Sequence, residues 1–137
     1  MKKILLAFVI ILAMVTALAC GSGGGGGGAT QGYLGGIWSG TWTSQVGPWT
    51  GTMYITLSQD GLTVTGSGYI TDDGERYDGT CTGTVTNADG PGNITLGMAY
   101  SGRTQISTFT GSYTATTITG TYADSQGDRG TFVLVKQ

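Results

Sequence analysis

Enzymes working near neutral pH usually rely on histidine, and this chain has none. Ser-His and Cys-His nucleophilic pairs are therefore excluded, and a zinc site loses its commonest ligand. The groups left to do chemistry are carboxylates, Arg76, Arg103 and Arg129, and the two cysteines, Cys20 and Cys81. Asp72-Asp73-Gly74-Glu75 supplies hard oxygen ligands. Their spacing does not match the alternate positions of a twelve-residue calcium loop, so a solvated turn is expected and no metal. Paired carboxylates hydrolyse glycosides when they flank a substrate cleft. Nothing in the sequence sets two of them across one, and a carboxylate-based hydrolase is the least supported of three functions, behind a binding module and a structural or partner-binding protein. Cys81 stands among small residues and is expected to be a buried apolar filler rather than a nucleophile.

Those residues must be carried by some scaffold, and the chain begins with an address. Lys2 and Lys3 precede an uncharged apolar run from Ile4 to Ala19. A basic start, an apolar middle and small residues at the end describe a secretory signal. A spanning helix needs about 20 apolar residues, more than this run offers. At its end, Ala17-Leu18-Ala19-Cys20 resembles the lipobox of bacterial lipoproteins. The resemblance implies cleavage before Cys20, which then carries diacylglycerol and an N-acyl chain. It also implies that Gly21, not being aspartate, permits transfer to the outer membrane, on its periplasmic or surface face. A Cys20–Cys81 disulfide arises only if lipidation fails. More than one acyl chain gives stable anchoring. The glycine run from Gly21 to Gly28, broken only by Ser22, is then a flexible tether spanning about 15–20 Å. The expected organisation is a signal peptide over 1–19, lipidated cysteine and linker over 20–32, and one domain over 33–137.

Removal of residues 1–19 leaves four of the six basic residues against all eight acidic ones, a net charge of −4. A mildly acidic chain without a basic patch is a poor match for nucleic acid. No cofactor is implied.

From Tyr33 onward the pattern is strand throughout, with Thr, Val, Ile and Tyr in alternation between glycine and aspartate turns. Eight strands are predicted near 37–43, 50–59, 62–70, 77–86, 93–100, 104–113, 116–123 and 130–136. Alternation gives each an apolar face (Met53, Ile55 and Leu57; Leu62, Val64 and Ile70; Ile94, Leu96, Met98 and Tyr100) and a threonine face. Gly40, Gly51, Gly66, Gly83, Gly111 and Gly120, each flanked by hydroxyl residues, fall on the apolar side. Glycine costs a strand about 0.5–1 kcal/mol relative to alanine. Six on one face imply a geometric reason: bends that close a sheet, and room for bulky neighbours where a small barrel narrows. Short connections favour an antiparallel meander, with Asp60-Gly61 marking a tight hairpin. The expected fold is all-β, an up-and-down eight-stranded β-barrel, with a β-sandwich as the alternative. A membrane-spanning barrel is disfavoured because the outward face is threonine. Gly36-Ile37-Trp38 and Gly40-Thr41-Trp42 resemble the Gly-x-Trp motif on the first strand of the avidin and lipocalin group. No tryptophan follows Trp49, so biotin binding is not carried over with the resemblance.

In a meander alternate loops share an end. One end gathers Trp49, Asp72, Asp73, Glu75, Arg76, Arg103, Asp124, Asp128 and Arg129, and this rim is the candidate ligand site. The competing explanation is that charges collect in loops because strands cannot hold them. Ile37, Val133 and Val135 point outward on strands that closure makes neighbours. They either dock a partner or are covered by the segment around Tyr33 and Leu34. The leading function is a membrane-anchored lipoprotein whose non-catalytic barrel binds a small molecule. The rival is a structural or protein-partner-binding lipoprotein with a filled barrel. Whether Trp38, Trp42, Met53, Phe109, Tyr113 and Phe132 plug the interior separates the two.

Overall fold

The computed structural model describes residues 32–137; the expected signal segment, the lipobox-like stretch with Cys20 and the expected glycine tether lie outside the described residues. Eight strands follow in order: β1 (Gly36–Ser44), β2 (Thr50–Asp60), β3 (Thr63–Asp72), β4 (Glu75–Val85), β5 (Gly92–Tyr100), β6 (Ile106–Tyr113), β7 (Thr117–Asp124) and β8 (Arg129–Lys136). Each pairs antiparallel with the next, and β8 returns to β1 to close the barrel. Closure leaves no strand edge for another chain to extend. The two-sheet alternative does not form.

Boundaries shift where turn chemistry is tighter than expected. β3 and β4 run on to Asp72 and Glu75, so only Asp73 and Gly74 remain between them, at φ 48° and 81°. A two-residue hairpin of this kind needs positive φ at both positions, which aspartate tolerates and glycine adopts freely. Thr104 and Gln105 belong to a loop rather than to β6. Leu62 was expected to face inward, but it lies in the turn after Gly61 and is 53% exposed.

The six glycines do share the inward parity of the buried residues. Their reason is sharper than room for side chains. A Cβ on Gly40 would sit 1.8 Å from the carbonyl oxygen of Val133, and one on Gly111 would sit 2.0 Å from that of Thr119. The obstacle is the backbone of the neighbouring strand, brought in by the bend that closes the wall.

The interior is filled from one end. Residues Gly32 to Gly35 fold across the mouth beside the 61–62, 86–91 and 114–116 connections and bury Leu34 completely. Burying a leucine contributes roughly 1.5–3 kcal/mol. The Leu34 amide donates to Gln59 Oε1 at 2.8 Å, and the Trp38 indole donates to the Leu34 carbonyl at 2.9 Å. Gln59 Nε2 donates to the carbonyls of Gly61 and Ala88, each at 2.9 Å. The Tyr113 hydroxyl donates to the Asn87 carbonyl, and Tyr33 packs edge-on against Tyr113. This segment therefore plugs the barrel and does not cover the outward strip. Ile37, Val133 and Val135 stay 39%, 46% and 45% exposed. Ile55, Cys81, Leu96, Phe132 and Leu134 fill the middle and leave a gap of about 10 Å³.

Candidate functional site

The opposite end is open. There the connections 45–49, 73–74, 101–105 and 125–128 surround a cup of about 410 Å³. That is within the range of pockets that hold small molecules. Met53 and Phe109, which also border the gap beneath, form its floor, and its wall is built from Trp42, Ile70, Tyr77, Tyr100 and Tyr122. Of the residues expected to plug the lumen, Trp38, Tyr113 and Phe132 do so below, whereas Trp42, Met53 and Phe109 line the cup.

The sheet register explains how these aromatic side chains fit on a narrow wall. Trp42 lies opposite Gly51, Tyr100 opposite Gly79, and Tyr122 opposite Gly130. Trp42 and Tyr122 lean over the glycines opposite them: a Cβ on Gly51 would sit 2.6 Å from the Trp42 indole nitrogen, and one on Gly130 would sit 2.8 Å from the Tyr122 ring. Trp42 and Phe109 both pack against the Tyr122 ring, with centroids 5.8 and 5.9 Å away. The Trp42 indole N–H donates to the Thr71 carbonyl at 3.1 Å, which fixes its plane.

The wall hydroxyls bond sideways into the barrel and not across the cup. Tyr100 donates to Ser107 Oγ at 3.0 Å, Tyr122 to Asp128 Oδ2 at 2.8 Å, and Tyr77 to Glu75 Oε2 at 2.6 Å. Burial, and next the bond to Asp128, pushes the Tyr122 phenol far above its ordinary value. Burial also raises Tyr100, and the bond to Glu75 is the main cause that raises Tyr77. All three phenols stay neutral at physiological pH.

Two carboxylates of the rim shape loops. Asp124 Oδ1 accepts from the Gln126 and Asp128 amides at 2.8 and 2.9 Å, and its Oδ2 accepts from Gln105 Nε2 at 2.7 Å. Asp128 Oδ1 accepts from the Ser44 hydroxyl and from the Arg129 amide at 2.9 Å. Ser44 Oγ in turn accepts from the Val46 and Gly47 amides, tying the 45–49 loop to the 125–128 loop. Both acids are thus held rigidly by donors. Arg103 lies over the Tyr77 ring, 4.1 Å from its centroid.

Of the nine rim residues expected from sequence, Trp49, Asp72, Arg103, Asp124 and Asp128 line the cup. Glu75 does not line it but orients Tyr77, which does. Asp73 sits exposed in the hairpin turn. Arg76 lies on the outer wall, 3.8 Å above the Tyr69 ring and paired with Asp78 at 2.6 Å. Its guanidinium is held charged chiefly by the hydrogen bond to Asp78. Arg129 points outward and is exposed, its parity opposite to that of Gly130 and Phe132. Sequence reasoning missed Tyr77, Gln105, Ser107, Tyr122 and Gln126 as lining residues, and took Trp42 and Tyr100 as core. The alternation that placed Tyr100 inward was the available signal, and the same parity on β7 puts Tyr122 inward with Ile118. Among the described residues, no group of three or more histidine, cysteine or acidic side chains is arranged to hold a metal ion.

No protein-family model matches this chain, and no curated protein matches it. Solved structures do resemble it. One is a de novo designed fluorescence-activating β-barrel, with a TM-score of 0.62 and 14% identity over 77% of this chain and 94% of that one. Another is a redesigned β-barrel, mFAP1, bound to DFHBI, with a TM-score of 0.59 and 19% identity over 77% and 95%. A further redesigned β-barrel has a TM-score of 0.64 and 20% identity over 77% and 92%. At such identities the likeness shows the fold: a closed, eight-stranded antiparallel β-barrel.

Proposed function

We propose that this chain is a non-catalytic binding protein that holds a small molecule in the open cup and is anchored to a membrane through lipid on Cys20. The observation that carries the binding reading is the cup itself: about 410 Å³ of space walled by aromatic rings at one end of an otherwise filled barrel. A barrel built only for structure has no reason to leave that end unpacked, because each buried side chain there would add stability. The resemblance to mFAP1, whose structure contains DFHBI, adds a barrel of the same fold with a ligand. Binding is favoured over hydrolysis because the Asp124 and Asp128 oxygens are engaged by amides, Ser44, Gln105 and Tyr122. The described chain enters the barrel at its closed end, beside Leu34. A tether from Cys20 therefore joins the barrel at the end opposite the cup and leaves the mouth open to the solute.

Two experiments test the two halves. A solvatochromic dye is titrated into the wild-type protein and into Gln105→Trp, which adds a large ring at the mouth. Blue-shifted emission that the substitution abolishes is expected, and equal emission from both proteins refutes the cup. Metabolic labelling with palmitate, with Cys20→Ala as control, is expected to label only the wild-type chain. Equal labelling of both, or labelling of neither, refutes the anchor.

A further inference from the structure

The electrostatics of the cup narrow the class of ligand. Its lining carries Asp72, Asp124 and Asp128 against a single cation, Arg103, so the cup is acidic by two charges. A cleft of one sign with low-dielectric walls raises the local concentration of the opposite sign. The second observation is geometric. Arg103 extends its planar guanidinium over Tyr77, and the same ring donates its hydroxyl to Glu75. The molecule thus already seats a flat cation on an aromatic face at the mouth. The negative face of an aromatic ring attracts such a cation, more strongly as water is excluded. Neither Asp72 nor Arg103 is in a salt bridge among the described residues, where the ion pair is Arg76 with Asp78. Asp72 is half-buried at the end of β3, opposite Glu75 in the register, so it closes the acidic side of this corner.

Resting on the reading of the cup as a binding site, we infer that its ligand is a flat aromatic cation. Its apolar body lies on Phe109 and Met53. Its charge sits at the mouth beside Asp72, against the Tyr77 face that Arg103 now occupies. Arg103 is then a competitor for the same place: an exposed side chain on a loop that must swing aside as the ligand enters.

Three probes of one shape separate the possibilities: N-methylacridinium, acridine at pH 8 and acridine-9-carboxylate. Each is titrated into the full-length chain by quenching of tryptophan emission, since Trp42 and Trp49 border the cup. The cation is expected to bind about tenfold more tightly than neutral acridine, and the carboxylate most weakly. Asp72→Asn should weaken the cation by about two- to fivefold, and Arg103→Gln should strengthen it by a similar factor. Both effects should shrink in 1 M salt, where the Debye length falls to about 3 Å. If acridine or its carboxylate binds as well as the cation, or if Arg103→Gln weakens the cation, the cation class is wrong and the cup stands. If no probe binds wild type or Arg103→Gln, the cup reading falls and this inference with it.

Discussion

The two ends of the barrel use the same materials to opposite effect. Each is lined by inward aromatic side chains on the same eight strands. At the closed end, Trp38 and Tyr113 bond to backbone carbonyls of connections that cross the opening, and Leu34 completes the packing. At the open end, Tyr100, Tyr122 and Tyr77 bond to Ser107, Asp128 and Glu75 within the wall, so nothing crosses the lumen. A ring tied across closes a barrel, and a ring tied sideways keeps one open. The difference assigns stability to one end and leaves the other open.

The strongest way to break this contrast is to remove a tryptophan from each end. Trp38 is fully buried and donates to the Leu34 carbonyl of the plug. Trp38→Ala should therefore cost about 3–5 kcal/mol. Trp42→Ala removes an equal volume from a wall that already borders open space. Water can occupy what it vacates, so the loss should be well under that of Trp38→Ala. Urea melts of both variants decide it, and equal losses would show that the ends share the work of folding.

Gln59→Ala comes next. It strips the Leu34 amide and the carbonyls of Gly61 and Ala88 of a common partner. Buried groups left unpaired cost about 1–3 kcal/mol each, less whatever water recovers. We expect a loss of about 2–3 kcal/mol in the same melts and earlier proteolysis near Tyr33, since the plug then keeps only the packing of Leu34, the Trp38 bond and the Tyr33–Tyr113 contact.

A smaller effect belongs to Tyr122 and appears with pH. Its folded value is raised, so its contribution is fully present below the unfolded phenol value of about 10 and is lost as pH climbs past it toward the folded value. Burial raises Tyr100 and Tyr113 in the same direction, so the wild-type melting temperature should fall above about pH 10. Tyr122→Phe gives up the bond to Asp128, about 1 kcal/mol near pH 8. It also removes one ionisation, so its curve should decline less steeply and approach the wild-type curve at high pH. Parallel curves from pH 8 to 12 would mean that Tyr122 titrates in the folded state as it does in water.

How much of this was legible in the sequence follows from what alternation can and cannot encode. Period two placed Met53, Ile55 and Leu57 on one face, and the inward glycines with them, which is enough for a closed meander. Loop order placed Asp72, Arg103, Asp124 and Asp128 at one end. Whether a ring points across the lumen or along the wall depends on which residue stands opposite it. The pairings Trp42 with Gly51 and Tyr122 with Gly130 are properties of the register. The hairpin at Asp73-Gly74 shortened a loop by lengthening two strands, which moved Tyr77 and Asp72 onto the cup wall and left Asp73 outside. Arg76 and Arg129 were grouped with the rim by position along the chain, but outward parity sends their side chains to the other surface.

The finest test of the contrast makes the same substitution at the other end. Gln105 is half-buried at the cup, where its Nε2 donates to Asp124 Oδ2 at 2.7 Å. Both residues line the cup, where water can replace the donor, and Asp124 Oδ1 keeps its two amide donors. Gln105→Ala should therefore cost only about 0.5 kcal/mol, several times less than Gln59→Ala. It should also widen the mouth and speed dye exchange without changing the melting cooperativity. A loss matching that of Gln59→Ala would make the 101–105 and 125–128 loops as much a lid on folding as the plug around Leu34. The open end would then be a structural element in its own right, not space held ready for a ligand.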